Sequence, residues 1–297
     1  MNVISFTEAI DAFLRDSHTR ERLKPSTLHA YRKDLIAAAA ALPASLGELT
    51  SGAMSRYLDC AIAPSTAARR LSALRTLCAW AVREGYCASD PTATLDVPRR
   101  TRRIPRPIRA DTDRQAVERA IATAPQPARL ALTILRETGM RVGEVLALNL
   151  GHITLSPDCE VLHVRDLENR TERIVVLDPT ATPESLHGLR VLLRERTGEP
   201  AYAPLCRSNR DTRLSYDALH YQWAQVCARV GLTDTAGKPR YTLHHLRHTH
   251  ATELIEQGQR LEIVQRILGH RDPRSTRGYI ELTEAQGDAA LERGTLS

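Results

Sequence analysis

The sequence predicts a mainly α-helical protein of two domains, with a small β element in the second. Three observations lead there. Apolar residues recur at three-to-four spacing over most of the chain, a Pro- and Arg-rich stretch interrupts that pattern near residue 100, and the segment between Cys159 and Leu177 changes to short β-branched runs. At 297 residues the chain can build two cores. Hydrophobic residues make up 42% and charged residues 26%, a globular composition that excludes a disordered chain.

The elements follow in order. ISFTEAIDAFLRDS places Phe6, Ile10, Phe13 and Leu14 on one helical stripe. A second helix runs through STLHAYRKDLIAAAAAL with Ser26 as its expected N-cap, and Thr50 or Ser51 opens a third. A fourth, STAARRLSALRTLCAWAVREG, is expected to be capped by Ser65 and to bury Leu71, Leu74, Leu77 and Trp80 or Ala81. DPTATLDVP then ends a small all-helical domain. In PRRTRRIPRPIRA, Pro98, Pro105 and Pro107 discourage a helix, so an extended connector is expected. The domains are read as residues 1–97, a connector over 98–109, and 110–297.

In the second domain DTDRQAVERAIATAP is a helix with a capping-type start. PARLALTILRETGMRVGEVLAL is an apolar helix, a break at Gly139 and a second helical start. CEVLHVRD and ERIVVL flank LENRT as a hairpin or part of a small sheet. From Tyr216 onward the pattern returns to helix. No internal repeat, Walker motif, GxGxxG or zinc-finger spacing occurs.

Charge points to a polyanionic partner. The formal net charge is +6, and the connector arginines Arg99, Arg100, Arg102, Arg103, Arg106 and Arg109 equal that whole excess. An extended basic joint between two nearly neutral domains suits a phosphate backbone, although a solvated linker would read the same way. The six cysteines are scattered with no CxxC pair, and no apolar run reaches eighteen residues. Free thiols in a reducing cytoplasm, without a leader or a membrane span, are therefore expected.

The chemistry gathers in HHLRHTHATELIEQGQRLEIVQRILGHRDPRSTRGY, residues 244–279. His244 and His248 sit four apart on one helix face and could bind a metal, but no acidic third ligand has a familiar spacing and HHLRH is not HExxH. No metal and no cofactor are expected. His244 and Arg247, three apart, could instead share one phosphate, the guanidinium as a two-pronged donor and the imidazole as donor or proton shuttle. Further along, His270 follows Gly269, and Tyr279 comes nine residues later. A helix-end neighbour and a packing residue are the plain readings of these two. Arg141, opening an apolar helix, is costly unless paired; Glu144 three residues on is its expected partner, and that pair by itself could be purely structural.

Taken together, TGMRVGEVLAL, HHLRHTHAT, LGH and Tyr279 resemble the tyrosine recombinase, or phage integrase, family. The likeness runs over nearly the whole chain, because the helical first domain is similar to the family's SAM-like core-binding module. The small Xer-like, plasmid and transposon recombinases are the nearer comparison. The resemblance implies a SAM-like four-helix domain and a mostly helical catalytic domain with a small antiparallel β-sheet. It also implies Arg141, His244, Arg247 and His270 around a scissile phosphate, with Glu144 in support and Tyr279 as nucleophile forming a 3′-phosphotyrosine. The implied partner is double-stranded DNA with inverted-repeat half-sites. The protein would be a monomer or weak oligomer when free and a tetramer on two sites through exchange of its C-terminal tail, with a second recombinase or accessory protein as an optional partner. Its compartment would be the cytoplasm of a bacterium or archaeon, at the nucleoid.

Two departures stand out. The family places a general-acid lysine on the hairpin turn, whereas VRDLENRTERIVVL, aligned through Glu172 and Arg173, puts Glu168 there, and no lysine lies between Lys33 and Lys238. Arg165 and Arg170 are the alternatives, but guanidinium rarely gives up its proton. His152 in LNLGHI also stands where the family often has aspartate. A DNA-binding protein of the same fold that does not cut is therefore the rival reading. DNA contacts are expected from the connector arginines and, on helices or loops facing the grooves, from Arg69, Arg70, Arg75 and Arg213.

Overall fold

The computed structural model describes residues 4–19, 23, 25–61, 63–96, 107–157, 159–166 and 171–269. The chain divides into two compact units, Met1–Arg103 and Ile104–Ser297. The connector arginines Arg99, Arg100, Arg102, Arg103 and Arg106, and Glu168, Arg170, His270 and Tyr279, lie outside the described residues.

Among the described residues, four α-helices make the first unit: α1 (Phe6–Thr19), α2 (Pro25–Ala39), α3 (Ser51–Asp59) and α4 (Pro64–Arg83). The expected stripes turn inward. Phe6, Ile10, Phe13, Leu71, Leu74, Leu77, Trp80 and Ala81 are all buried in one core, with the Phe13 ring edge-on to Trp80 at 5.9 Å. Thr50 caps α3, its hydroxyl accepting from the Ala53 amide at 3.2 Å. The other two caps differ from expectation. α2 begins at Pro25 rather than after Ser26, and α4 at Pro64 with Ala63 as N-cap rather than at Ser65. Proline suits a first helical position because it has no N–H to leave unpaired and its φ is already helical, so it moves the start one or two residues upstream.

In the second unit come α5 (Asp111–Ala122), α6 (Ala128–Thr138), α7 (Val142–Ala147), the strands β1 (Ile153–Ser156), β2 (Cys159–Asp166) and β3 (Thr171–Val176), then α8 (Pro183–Glu195), α9 (Tyr216–Arg229), α10 (Leu243–Glu256) and α11 (Leu261–Leu268). α6 buries Leu130, Ala131, Leu132, Ile134 and Leu135, nearly its whole circumference, and packs against α5, α7, α8, α9 and α10. Trp223 of α9 is fully buried and its indole N–H donates to the Tyr241 carbonyl at 2.7 Å. α5 starts without a side-chain cap; Asp111 and Asp113 sit inside its first turn, where they favour the helix dipole.

The sheet is antiparallel in the order β1-β2-β3, so the two runs expected as a hairpin or part of a small sheet are β2 and β3 of such a sheet. Register pairs Val164 with Arg173 and Arg165 with Glu172. Leu162 and Val164 point into the core while His163 and Arg165 are exposed, the alternation that a one-sided sheet requires.

The connector ends earlier than its composition suggests. Ile108, placed in it by the neighbouring prolines and arginines, is buried in the core of the second unit, and its N–H donates to Thr249 Oγ1 at 2.9 Å. All six cysteines are free thiols; burial pushes Cys78, Cys206 and Cys227 up to about 12. Among the described residues no helix is long and apolar enough to cross a membrane.

Candidate active site

The site is built where three helix ends meet. α6 ends at Gly139, whose φ of +61° is the left-handed conformation that glycine adopts without strain. A side chain there would also collide with His250, since an added Cβ would stand 2.6 Å from its Cδ2. The turn delivers Arg141 to the N-cap of α7, and Glu144 reaches back: its Oε2 accepts from the Arg141 amide at 2.8 Å and its Oε1 from Arg141 Nη1 at 3.1 Å. Glu144 is only 4% exposed, and a carboxylate so buried needs more than one cationic neighbour. Arg173 of β3 is the second, with Nη2 2.9 Å from Oε2.

α10 supplies the next pair. Thr242 and His245 close its N-terminus, the Thr242 amide donating to His245 Nδ1 at 3.0 Å. That leaves His244 on the face shared with Arg247. Arg247 is 3% exposed and donates to the Gly139 carbonyl at 2.5 Å and the Leu268 carbonyl at 2.8 Å. His244 keeps part of its ring in solvent. Partial burial, then the charges of Arg247, His245 and Arg141, lower its pKa, so its neutral form dominates at pH 7.

The third is the end of α11. Gly269 is again left-handed, at φ +66°, and three successive carbonyls of this last turn accept from three arginines. Ile267 O accepts from Arg173 at 2.8 Å, Leu268 O from Arg247 at 2.8 Å, and Gly269 O from Arg141 at 3.3 Å. A helix C-terminus leaves carbonyls unpaired and carries partial negative charge, so it binds cations well. His270 is the next residue in the chain. The structure thus gathers Arg141, Glu144, His244, Arg247 and the residue preceding His270. Three guanidiniums against one carboxylate leave an excess of positive charge, which suits a phosphodiester.

The remaining histidines of the cluster have other uses. His245 is a cap; His248 packs edge-on to His244 with ring centres 4.4 Å apart; His250 packs against Gly139 and is held neutral, its pKa lowered to about 4 chiefly by burial. Among the described residues no three His, Cys, Asp or Glu side chains are grouped as metal ligands would be.

The groove candidates in the described residues have partners within the chain. Arg69 pairs with buried Asp34, Arg70 lies 5.0 Å over the Tyr57 ring, and Arg75 donates to the Leu95 carbonyl. Arg213 holds the Leu146 and Leu148 carbonyls at 2.7 and 3.0 Å and Asn149 Oδ1 at 2.6 Å, a structural use that the expectation of a DNA contact did not foresee. Arg165 lies on the solvent face of β2 beside Glu172, on the opposite side of the strand pair from Arg173. His152 accepts from the Asn149 amide at 3.2 Å and, with His163, Val164, Arg165, Glu172, Arg173 and Ile174, lines a recess of about 440 Å³. Arg173 is the site residue that sequence reasoning missed. Its one signal is that it alternates with Val175 and Leu177 along a short strand, since a charge on an apolar face demands a buried anion.

Comparison with known proteins decides the family. Residues 111–286 match the model of the "Phage integrase family", and residues 10–85 that of the "Phage integrase, N-terminal SAM-like domain". The chain belongs to the phage integrase family of tyrosine recombinases. This family member is 32% identical over 305 residues to tyrosine recombinase XerC of Mycobacterium sp. (strain JLS), covering 95% of each chain. Its fold is similar to that of lambda integrase, seen as a dimer bound to a COC′ core site (TM-score 0.72, 21% identity, 94% of this chain and 77% of that one). It is also similar to the XerH site-specific recombinase in a post-cleavage complex with palindromic difH substrate (TM-score 0.68, 18% identity, 89% and 78%).

Proposed function

We propose that this site-specific DNA recombinase cuts and rejoins strands through Tyr279. The observation that carries the reading is the anchoring of the α11 end, one residue before His270, by Arg141 and Arg247. In this mechanism the Tyr279 oxygen attacks a DNA phosphorus, its proton passes to His244 or His270, and the P–O5′ bond breaks to leave a 3′-phosphotyrosine and a 5′-hydroxyl. Arg141 and Arg247 neutralise charge growing on the nonbridging oxygens. Neutral His244 can accept or share a proton, as its lowered pKa allows. Attack by the partner strand's 5′-hydroxyl reverses the step and rejoins DNA without external energy. The hairpin lacks a lysine, so the leaving oxygen takes its proton from another group. That same absence favours the second reading, a DNA-binding protein of this fold that does not cut.

The DNA partner proposed is a duplex with inverted-repeat half-sites, gripped by both units and by the connector arginines 99, 100, 102, 103 and 106. Assembly is to a tetramer on two sites through the C-terminal tail, in the cytoplasm. The test uses nicked duplexes with randomised 30-bp cores. A nick lets the short strand diffuse away after attack and traps the adduct, which survives denaturation and can be sequenced. Wild-type protein is expected to enrich a pseudo-palindromic core, and Tyr279→Phe to bind the same core without forming an adduct. Tight binding by wild type with every strand intact would establish the second reading.

A further inference from the structure

We propose that Arg173 is a positioning residue for strand cleavage, holding Arg141, through Glu144, in register with the last turn of α11 and the backbone that leads into His270. The inference rests on the functional reading above and adds a residue to its machinery.

Arg173 joins three elements far apart in sequence. It sits on β3 opposite Val164, on the core face of the sheet, with its side chain 15% exposed. One nitrogen of its guanidinium donates to Glu144 of α7 and the other to Ile267 of α11. Glu144 in turn holds both the backbone and the side chain of Arg141. The end of α11 is tied to the α6–α7 turn directly, by Arg141 to Gly269 O, and indirectly, by Arg173. These ties set two sides of a rigid frame.

Gly269 is shaped around the same guanidinium. A Cβ at that position would lie 2.8 Å from Arg173 Nε and 3.0 Å from its Cδ, so the turn is free of a side chain where the arginine crosses it. Arg173 Nε is buried with no acceptor among the described residues. Leaving a buried donor unpaired is costly, and the geometry accepts that cost to keep the two-pronged end on Glu144 and Ile267. A lysine would satisfy Glu144 with a single point of charge but could not hold two acceptors at a fixed angle. The reaction needs that fixed angle. Arg141 and the residues after Gly269 must address one phosphate together, and displacement by about 1 Å is enough to lose roughly 100-fold in rate.

The experiment measures single-turnover adduct formation at saturating DNA on the duplex recovered from the library, with binding affinity and thermal midpoint measured alongside. Variants are R173A, R173K and a matched control, R196A. Arg196 also pairs with a glutamate and holds two carbonyls, and its side chain is 12% exposed, but it serves the loop after α8. R173A is expected to slow adduct formation by about 50-fold or more while affinity stays within about threefold. R173K should recover less than about a tenth of the wild-type rate, and R196A should lower the midpoint with the rate unchanged. R173A cleaving within about threefold of wild type, or R173A and R196A losing rate in proportion to their loss of midpoint, would overturn the inference. If R173A does not fold, R173K decides, since a wild-type rate there shows that the fork is dispensable. A wild-type protein that forms no adduct at all defeats the parent reading instead.

Discussion

Glu199 and Glu144 are each gripped by two arginines, yet the two clusters differ in reach. Glu199 accepts from Arg196 at 2.6 and 3.0 Å and from Arg207, and Arg196 also holds the Pro204 and Leu205 carbonyls. Everything lies within one loop, and the hydrogen bond from Arg196, ahead of Arg207, lowers the Glu199 pKa to about 2. Glu144 is buried, and its arginines draw in the α6–α7 turn, β3 and the end of α11. The same chemistry is a local staple in one place and a long-range frame in the other. Only the frame sets residues distant in sequence against each other, which is what a reacting phosphate requires.

The largest expected effect is therefore at Glu144. Glu144→Ala leaves Arg141 and Arg173 without their buried anion and should cost about 3–5 kcal/mol in urea unfolding. An effect no larger than that of Glu199→Ala would break the comparison. Next comes Gly139→Ala, which imposes a left-handed φ on alanine and drives a methyl into His250; about 2 kcal/mol is expected. A Gly139→Ala/His250→Ala pair should be less destabilised than the two single changes added together, which a double-mutant cycle measures.

Much of this was readable beforehand where the signal is local. The stripe Leu71, Leu74, Leu77 follows from helical period, and the Arg141–Glu144 pair from a three-residue spacing with a buried charge to neutralise. The same spacing logic put His244 with Arg247. What escaped depends on tertiary contact. α8 is absent from the expected elements; in the fold its Gly188 lets it approach α6, where a Cβ would stand 2.9 Å from Leu130 Cδ1. Arg173 was visible as a residue but not as a link, because alternation along β3 does not say which face meets α7 and α11. Ile108 escaped because prolines and arginines around it outweighed one apolar side chain.

A smaller effect concerns pH. His250 titrates near 4 in the folded protein against an ordinary 6.5, so the unfolded chain binds more protons between those values. The stability this contributes is complete above pH 6.5 and is lost as pH falls through 4. Urea midpoints from pH 7 to 4 should show that slope in wild type and a flatter one in His250→Phe; equal slopes would remove His250 as the cause. The smallest effect is at Glu199, which has to hold only its own loop. Its folded pKa lies below the ordinary 4.5, so its contribution is present above pH 4.5 and disappears as pH falls through about 2. Because the pair is reached by solvent, Glu199→Ala should shift the thermal midpoint only slightly, and less so in high salt. A large shift would mean that the staple supports more than its loop.

The most direct measurement is the identity of the residue that becomes joined to DNA. Adduct trapped on the nicked duplex is digested with trypsin and nuclease and read by mass spectrometry. The account expects a nucleotide on the peptide Gly278–Arg293, at Tyr279, and its loss in Arg141→Ala and Arg247→Ala protein. A nucleotide on any other residue, or an adduct that persists without both arginines, would contradict it.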